Sequence, residues 1–148
     1  MKYLIHIQYS VFINKSREIV WDFTQDYSKR PAWDIAVKEA LVLDDSEEKS
    51  ILIKGSGFSA WFVYKLFRRP EKTTLVMTDV QSAFIESGGG SWCYESKGEG
   101  AIWTQSNSIV LKKSMLAGFF SPLIRFALMY QLRKAMDKAK WQIENSNP

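Results

Sequence analysis

Residues 3–21 read YLIHIQYSVFINKSREIVW, and the periodicity of the chain changes inside that stretch. Tyr3, Ile5, Ile7, Tyr9, Val11 and Ile13 occupy alternate positions, the period of a strand with one buried face. From Ser16 the period lengthens. Ser16 suits an N-cap, Glu18 puts a carboxylate in the first turn where the helix dipole favours it, and Ile19, Val20 and Phe23 recur at helical spacing. A short helix is predicted over 17–25. Asp26 is expected to cap a second helical piece over 27–30, which Pro31 would end.

Working outward, residues 33–113 read as successive strands at 35–43, 50–54, 58–68, 73–83, 91–96 and 101–112. Turns are expected at 44–48, 55–57, 70–72, 88–90 and 97–100, where Gly, Pro, Asp and Ser cluster. This is the pattern of an antiparallel meander. Ser121-Pro122 then reads as the start of the last and longest helix, over 122–144, with Phe119 and Phe120 packing back as a staple. Ile124, Leu128, Leu132, Ala135, Ala139 and Ile143 form one apolar stripe, widened by Leu123, Ala127, Tyr130 and Met136. The natural partner of that stripe is the sheet.

The chain has 148 residues, of which 46% are hydrophobic and 14% aromatic, enough for a sizeable core, and one domain spanning 1–148 is expected. One cysteine, Cys93, and one histidine, His6, leave no Cys-rich or His-based metal pattern, so neither metal nor cofactor is expected. A formal charge of +4 is mild and far below the clustered positive charge of a dedicated nucleic-acid binder. No targeting signal or apolar run of ~20 residues is found, and the expected location is cytoplasmic.

The order of strand, two short helices, about six strands and one long helix, together with Ile13-Asn14-Lys15-Ser16-Arg17-Glu18-Ile19-Val20-Trp21, Asp26 and Trp33-Asp34, resembles the START-like (SRPBCC, polyketide cyclase/dehydrase) superfamily. The resemblance covers essentially the whole chain. Lys15-Ser16 stand where that family often carries Ala-Pro or Ser-Pro. It implies an α+β helix-grip fold, with a curved antiparallel sheet of about seven strands wrapped on the C-terminal helix. The two short helices would lie between the first and second strands. It also implies an internal cavity that commonly holds an apolar ligand.

On that basis the expected function is binding or transport of a small hydrophobic molecule, lipid-like or aromatic. Trp33, Phe62, Tyr64, Met77, Trp92, Tyr94, Trp103, Gln105, Phe120, Ile124 and Leu128 are the candidate ligand-binding residues. Simple core packing is the competing reading for each aromatic. Tyr64, Tyr94, Gln105 or His6 would orient a polar end of the guest. An alternative is an enzyme of cyclase or dehydratase type, in which His6 with Glu39 or Asp79 moves protons on an apolar substrate. No nucleophile motif accompanies them. A third reading is an interaction module with a filled core, in which Leu116-Ala117-Gly118-Phe119-Phe120, flanked by Lys112, Lys113 and Arg125, makes transient membrane contact. Gly55-Ser56-Gly57-Phe58-Ser59-Ala60 satisfies a dinucleotide pattern in form, but the strand-like residues after it argue for a turn.

Overall fold

The two-residue period at the start of the chain becomes strand β1 (Tyr3–Ile13), with Ile5, Ile7, Val11 and Ile13 buried and Leu4, His6, Gln8, Ser10 and Phe12 exposed. The computed structural model describes residues 3–44, 49–113 and 115–146, so residues 45–48 of the first expected turn lie outside the described residues. Helix α1 (Arg17–Thr24) follows, its N-terminus capped by the Ser16 hydroxyl, which accepts from the Ile19 N–H at 3.4 Å. Helix α2 is Arg30–Trp33, not 27–30. Pro31 lies in its first turn, where the missing N–H would have no intrahelical partner, so the proline begins this helix instead of ending it. Asp26 caps the preceding turn, accepting from both the N–H and the hydroxyl of Ser28.

Six more strands complete the sheet: β2 (Glu39–Asp44), β3 (Lys49–Gly55), β4 (Phe58–Arg68), β5 (Lys72–Ser82), β6 (Ile85–Lys97) and β7 (Gly100–Leu111). They form one antiparallel sheet in the order β1-β7-β6-β5-β4-β3-β2. β1 and β2 are therefore the two edges, and α1 and α2 cross between them. The strand expected from residue 35 begins only at Glu39, because Asp34 holds the preceding residues in a turn: its Oδ1 accepts from the Ala36 N–H and its carbonyl from the Val37 N–H. The G-x-G-x-x-A stretch is the β3–β4 hairpin turn.

The glycine triplet at 88–90 is not a turn. It lies inside β6 and pairs with β7 at Ile109, Ser108 and Asn107. Its glycines permit an approach closer than a side chain would tolerate: a Cβ on Gly90 would sit 2.3 Å from Asn107 Oδ1 and 2.7 Å from the Ser106 carbonyl. β4 also departs from its sequence pattern. A register shift between Tyr64 and Leu66 reverses its alternation, and Phe67 comes to lie edge-on against Tyr64 (5.1 Å between ring centroids) and Trp21 (5.2 Å).

The last helix, α3 (Met115–Asn145), starts before Ser121-Pro122 and runs through it. A proline inside a helix strands the carbonyl four residues earlier. Here that carbonyl is Gly118, and the Ser121 hydroxyl donates to it at 3.1 Å. The serine thus repairs the helix instead of starting it. Consequently Phe119 and Phe120 are not a staple; both are exposed on the helix surface. Leu132, Ala135, Met136, Ala139 and Ile143 are buried as the stripe predicts, whereas Leu123, Ala127 and Tyr130 face outward.

The C-terminal half of α3 is fastened to β1. The Tyr9 hydroxyl donates to Asp137 at 2.9 Å, the Asn14 N–H donates to Glu144 at 2.8 Å, and Lys140 donates to the Phe12 carbonyl. Two buried clusters result. The larger joins α1, α2, β1, β6, β7 and the C-terminal half of α3; the smaller holds Tyr27, Val37, Ile51, Ile53, Tyr64 and Leu75.

Candidate functional site

Rows of inward-facing side chains run across the sheet, and their volumes decide where the interior closes. Strand pairing aligns Tyr94, Trp103 and Val11 in one row and Thr73, Trp92, Gln105 and Tyr9 in the next. Trp103 meets Trp92 at 5.4 Å, Trp33 at 5.7 Å and Tyr94 at 6.4 Å between ring centroids. This end is filled with rings. The following row is Tyr64, Leu75, Gly90, Asn107 and Ile7, with a glycine at its centre. Beyond it lie Ile51, Phe62 and Met77 on one side and Gly88, Ile109 and Ile5 on the other, a row with one ring and a second glycine. Side-chain volume falls away, and a cavity of about 180 Å³ opens between this part of the sheet and α3.

Its floor is apolar, formed by Ile7, Ile51, Ile53, Phe62, Leu75, Met77 and Ile109, with Trp92 and the Gly89-Gly90 backbone beside them. Leu128, Gln131, Leu132 and Ala135 of α3 make the roof. Polar groups enter from two directions: Tyr27, Arg30 and Asp34 from around α2, and Gln105 and Asn107 from β7. Gln105 is buried, which makes its amide an expensive group to leave idle.

Arg30 is the charged centre of the lining. Its Nε donates to Asp34 Oδ2 at 2.8 Å, and its guanidinium carbon lies 4.8 Å from the centroids of both Trp33 and Trp92. Burial alone would weaken the guanidinium as a cation, but the charge and hydrogen bond of Asp34, together with the electrostatic effect of Tyr27 and Tyr64, outweigh it and hold the group firmly charged. That hydrogen bond occupies one of five guanidinium donors.

Behind Tyr27 runs a chain of hydroxyls. Tyr64 donates to Gln25 Oε1 at 2.6 Å, Gln25 Nε2 donates to the Tyr94 hydroxyl at 3.0 Å, and Thr24 donates to the Val20 carbonyl at 2.9 Å. Each hydroxyl has one proton, so the remaining links are directed as well: Tyr27 donates to Tyr64 at 2.5 Å and Tyr94 to Thr24 at 2.7 Å. Tyr27 therefore presents acceptor lone pairs, not a proton, to its other neighbours. Burial pushes the phenols of Tyr27, Tyr64 and Tyr94 well above their ordinary range, and for Tyr64 the adjacent Tyr27 adds to the effect.

Five of the eleven residues named from sequence line this cavity: Phe62, Met77, Trp92, Gln105 and Leu128. Trp33 and Trp103 are fully buried in the aromatic block, and Tyr64 and Tyr94 belong to the hydroxyl chain. Ile124 is half-buried on α3, and Phe120 is exposed, because the helix begins earlier than Ser121-Pro122 implied. His6, Glu39 and Asp79 are exposed and are not brought together. His6 lies on edge strand β1 against Ser108 (3.0 Å), Glu39 on the opposite edge strand against Lys54 (3.9 Å), and Asp79 on β5 with a left-handed φ of 50°. Tyr27, Arg30, Asp34, Asn107 and Gln131 were not anticipated. The four-residue spacing of Arg30 and Asp34 around Trp33 was the available signal, since an ion pair at that spacing shares one helix face.

No protein-family model matches the chain, and no curated protein matches it in sequence. Solved structures do match. The Zhui aromatase/cyclase from Streptomyces sp. R1128 superposes with a TM-score of 0.80 over 96% of this chain and 94% of its own, at 9% identity. A START superfamily protein from Mycobacterium smegmatis gives 0.78 over 95% and 97%, also at 9% identity. The chain has the START-like helix-grip fold. The di-domain ARO/CYC StfQ from the steffimycin biosynthetic pathway gives 0.78 at 13% identity, over 95% of this chain and 51% of StfQ. The helix-grip chain thus spans about half the length of the di-domain proteins it matches. No helix among the described residues is long and apolar enough to cross a membrane.

Proposed function

We propose that this protein binds, without covalent chemistry, a small apolar molecule about the size of one aromatic ring that carries one polar acceptor group. The observation that supports this reading is the cavity of about 180 Å³, apolar on its floor and over most of its roof but furnished with Arg30 and Gln105. Its size bounds the guest. A cavity of about 150 Å³ accepts benzene, whereas sites for drug-sized ligands run to roughly 300–1,000 Å³. Burying about 150 Å² of apolar guest surface at about 25 cal/mol per Å² yields about 4 kcal/mol, which by itself is only millimolar affinity. A carbonyl, phenolate or carboxylate accepting from Arg30 or Gln105 would supply the remainder, because charge-assisted hydrogen bonds in a dry site are among the stronger ones.

The test is a thermal-shift panel of monocyclic phenols, aryl ketones and aromatic carboxylates, paired with native mass spectrometry of the protein as purified. A compound at one hundred times its dissociation constant should raise the melting temperature by roughly 5–10 °C. Leu128→Trp, which fills the roof, should abolish that rise. A panel that shifts nothing, together with a mass spectrum showing no retained molecule, would rule the binding role out.

A further inference from the structure

The N-terminal half of α3 carries a second surface that faces away from the cavity. Phe119, Leu123, Phe126 and Tyr130 are 79%, 62%, 71% and 55% exposed. Their spacing of four, three and four residues sets them on one stripe of the helix, about 16 Å long at 1.5 Å per residue. Isolated exposed apolar residues are ordinary, but a continuous apolar stripe marks an interaction surface.

Charge identifies what would cover it. Between Glu99 and Asp137 there is no acidic residue, while Lys112, Lys113, Arg125, Arg133 and Lys134 all fall there. The rest of the chain holds 15 basic and 16 acidic residues, so the net positive charge of the whole protein resides in this stretch. The stripe is also presented firmly. Gly118 rests against the Tyr3 ring, so closely that a Cβ would come 2.5 Å from the Tyr3 hydroxyl, and the other end of the helix is fastened to β1. Beside the stripe, a surface groove of about 830 Å³ separates the start of β1 from the helix, with Leu4, Pro122, Phe126 and Met129 as its apolar walls and Arg125 in its lining.

We propose that the N-terminal half of α3 docks on an anionic lipid surface, with Phe119, Leu123, Phe126 and Tyr130 among the acyl chains and the surrounding lysines and arginines against the headgroups. A second copy of the chain fits poorly, since it would set this uniformly basic stretch against itself. An anionic bilayer is apolar and negative together, which is the complement of this face. Leu128, Gln131 and Leu132 on the same helix roof the cavity, so docking would hold the cavity directly behind the lipid-facing side. The docking itself requires no guest.

Vesicle flotation of the full chain tests it, using phosphatidylcholine alone and phosphatidylcholine mixed with phosphatidylglycerol. The protein should float with the anionic vesicles and not with the neutral ones, and high salt should release it. Phe126→Ser should weaken partitioning about tenfold and Arg125→Gln or Lys134→Gln roughly fivefold each, all with unchanged melting temperatures because the side chains are exposed. Equal binding to both vesicle types, no flotation, or full flotation of Phe126→Ser would overturn the proposal. So would a dimer in solution that Phe126→Ser dissociates, if the parent chain does not float.

Discussion

The two ends of the interior are built on the same sheet and under the same helix, yet one is solid and the other is hollow. At the solid end, Trp21, Trp33, Trp92, Tyr94 and Trp103 pack ring against ring beneath the C-terminal half of α3. At the hollow end the inward row passes through Gly90, and the helix above contributes Leu128 and Gln131 instead of a ring. The difference is one of side-chain volume, not of backbone. A curved sheet under a helix encloses a fixed space, and whether that space is core or cavity depends on what each row puts into it.

If that contrast is correct, truncations should cost very different amounts at the two ends. Trp103→Ala should destabilise most, by about 3–5 kcal/mol in urea unfolding, because a fully buried indole leaves a void its rigid neighbours cannot refill. A cost below 1 kcal/mol would show that the aromatic end is not close-packed. Next comes the boundary between the ends. Arg30→Ala leaves the Asp34 carboxylate buried without its cation and should cost about 3 kcal/mol, whereas the double change Arg30→Met with Asp34→Leu should recover much of that loss.

Tyr64→Phe removes the link between Tyr27 and Gln25 and should cost about 1–2 kcal/mol, since both partners stay buried or half-buried. The same chain predicts alkaline instability. In the unfolded chain these phenols ionise near pH 10, while in the folded protein they keep their protons, so above that pH the unfolded state binds fewer protons. Stability should therefore hold below about pH 10 and fall beyond it by about 1.4 kcal/mol per pH unit for each tyrosine so affected. A flat profile to pH 11 would break the picture of a sealed hydroxyl chain. The smallest effect is expected at the hollow end: Met77→Ala, half-buried and already beside the void, should cost about 1 kcal/mol and enlarge the cavity enough to admit a bulkier guest in the thermal-shift panel.

Much of the fold was legible because periodicity is a local property. β4 runs over the same residues in sequence and structure, α1 starts at the cap Ser16 promised, and the buried stripe of α3 from Leu132 to Ile143 follows its spacing. The misreadings share a physical cause. Gly88-Gly89-Gly90 and Ser121-Pro122 look like breaks when only neighbours in sequence are considered. In the folded chain, β7 supplies ladder partners to the glycines, and the Ser121 hydroxyl replaces the hydrogen bond that Pro122 cannot make. The site was less legible. Aromatic residues mark a core and a pocket equally well, so Trp103 was indistinguishable from Trp92 until strand register placed them in different rows, and Trp33 until α2 set it against Trp103.

The sequence by itself determined the order of elements, the face that β1 turns inward and the concentration of positive charge between Glu99 and Asp137, because all three depend only on which residues follow which. Only the tertiary structure decided that Gly90 falls opposite Leu75 and Asn107, that Arg30 lies between two indoles, and that Phe119 to Tyr130 face outward. Those outcomes depend on contacts between residues far apart in the chain, and no local pattern encodes how much volume arrives at one point from seven strands and a helix.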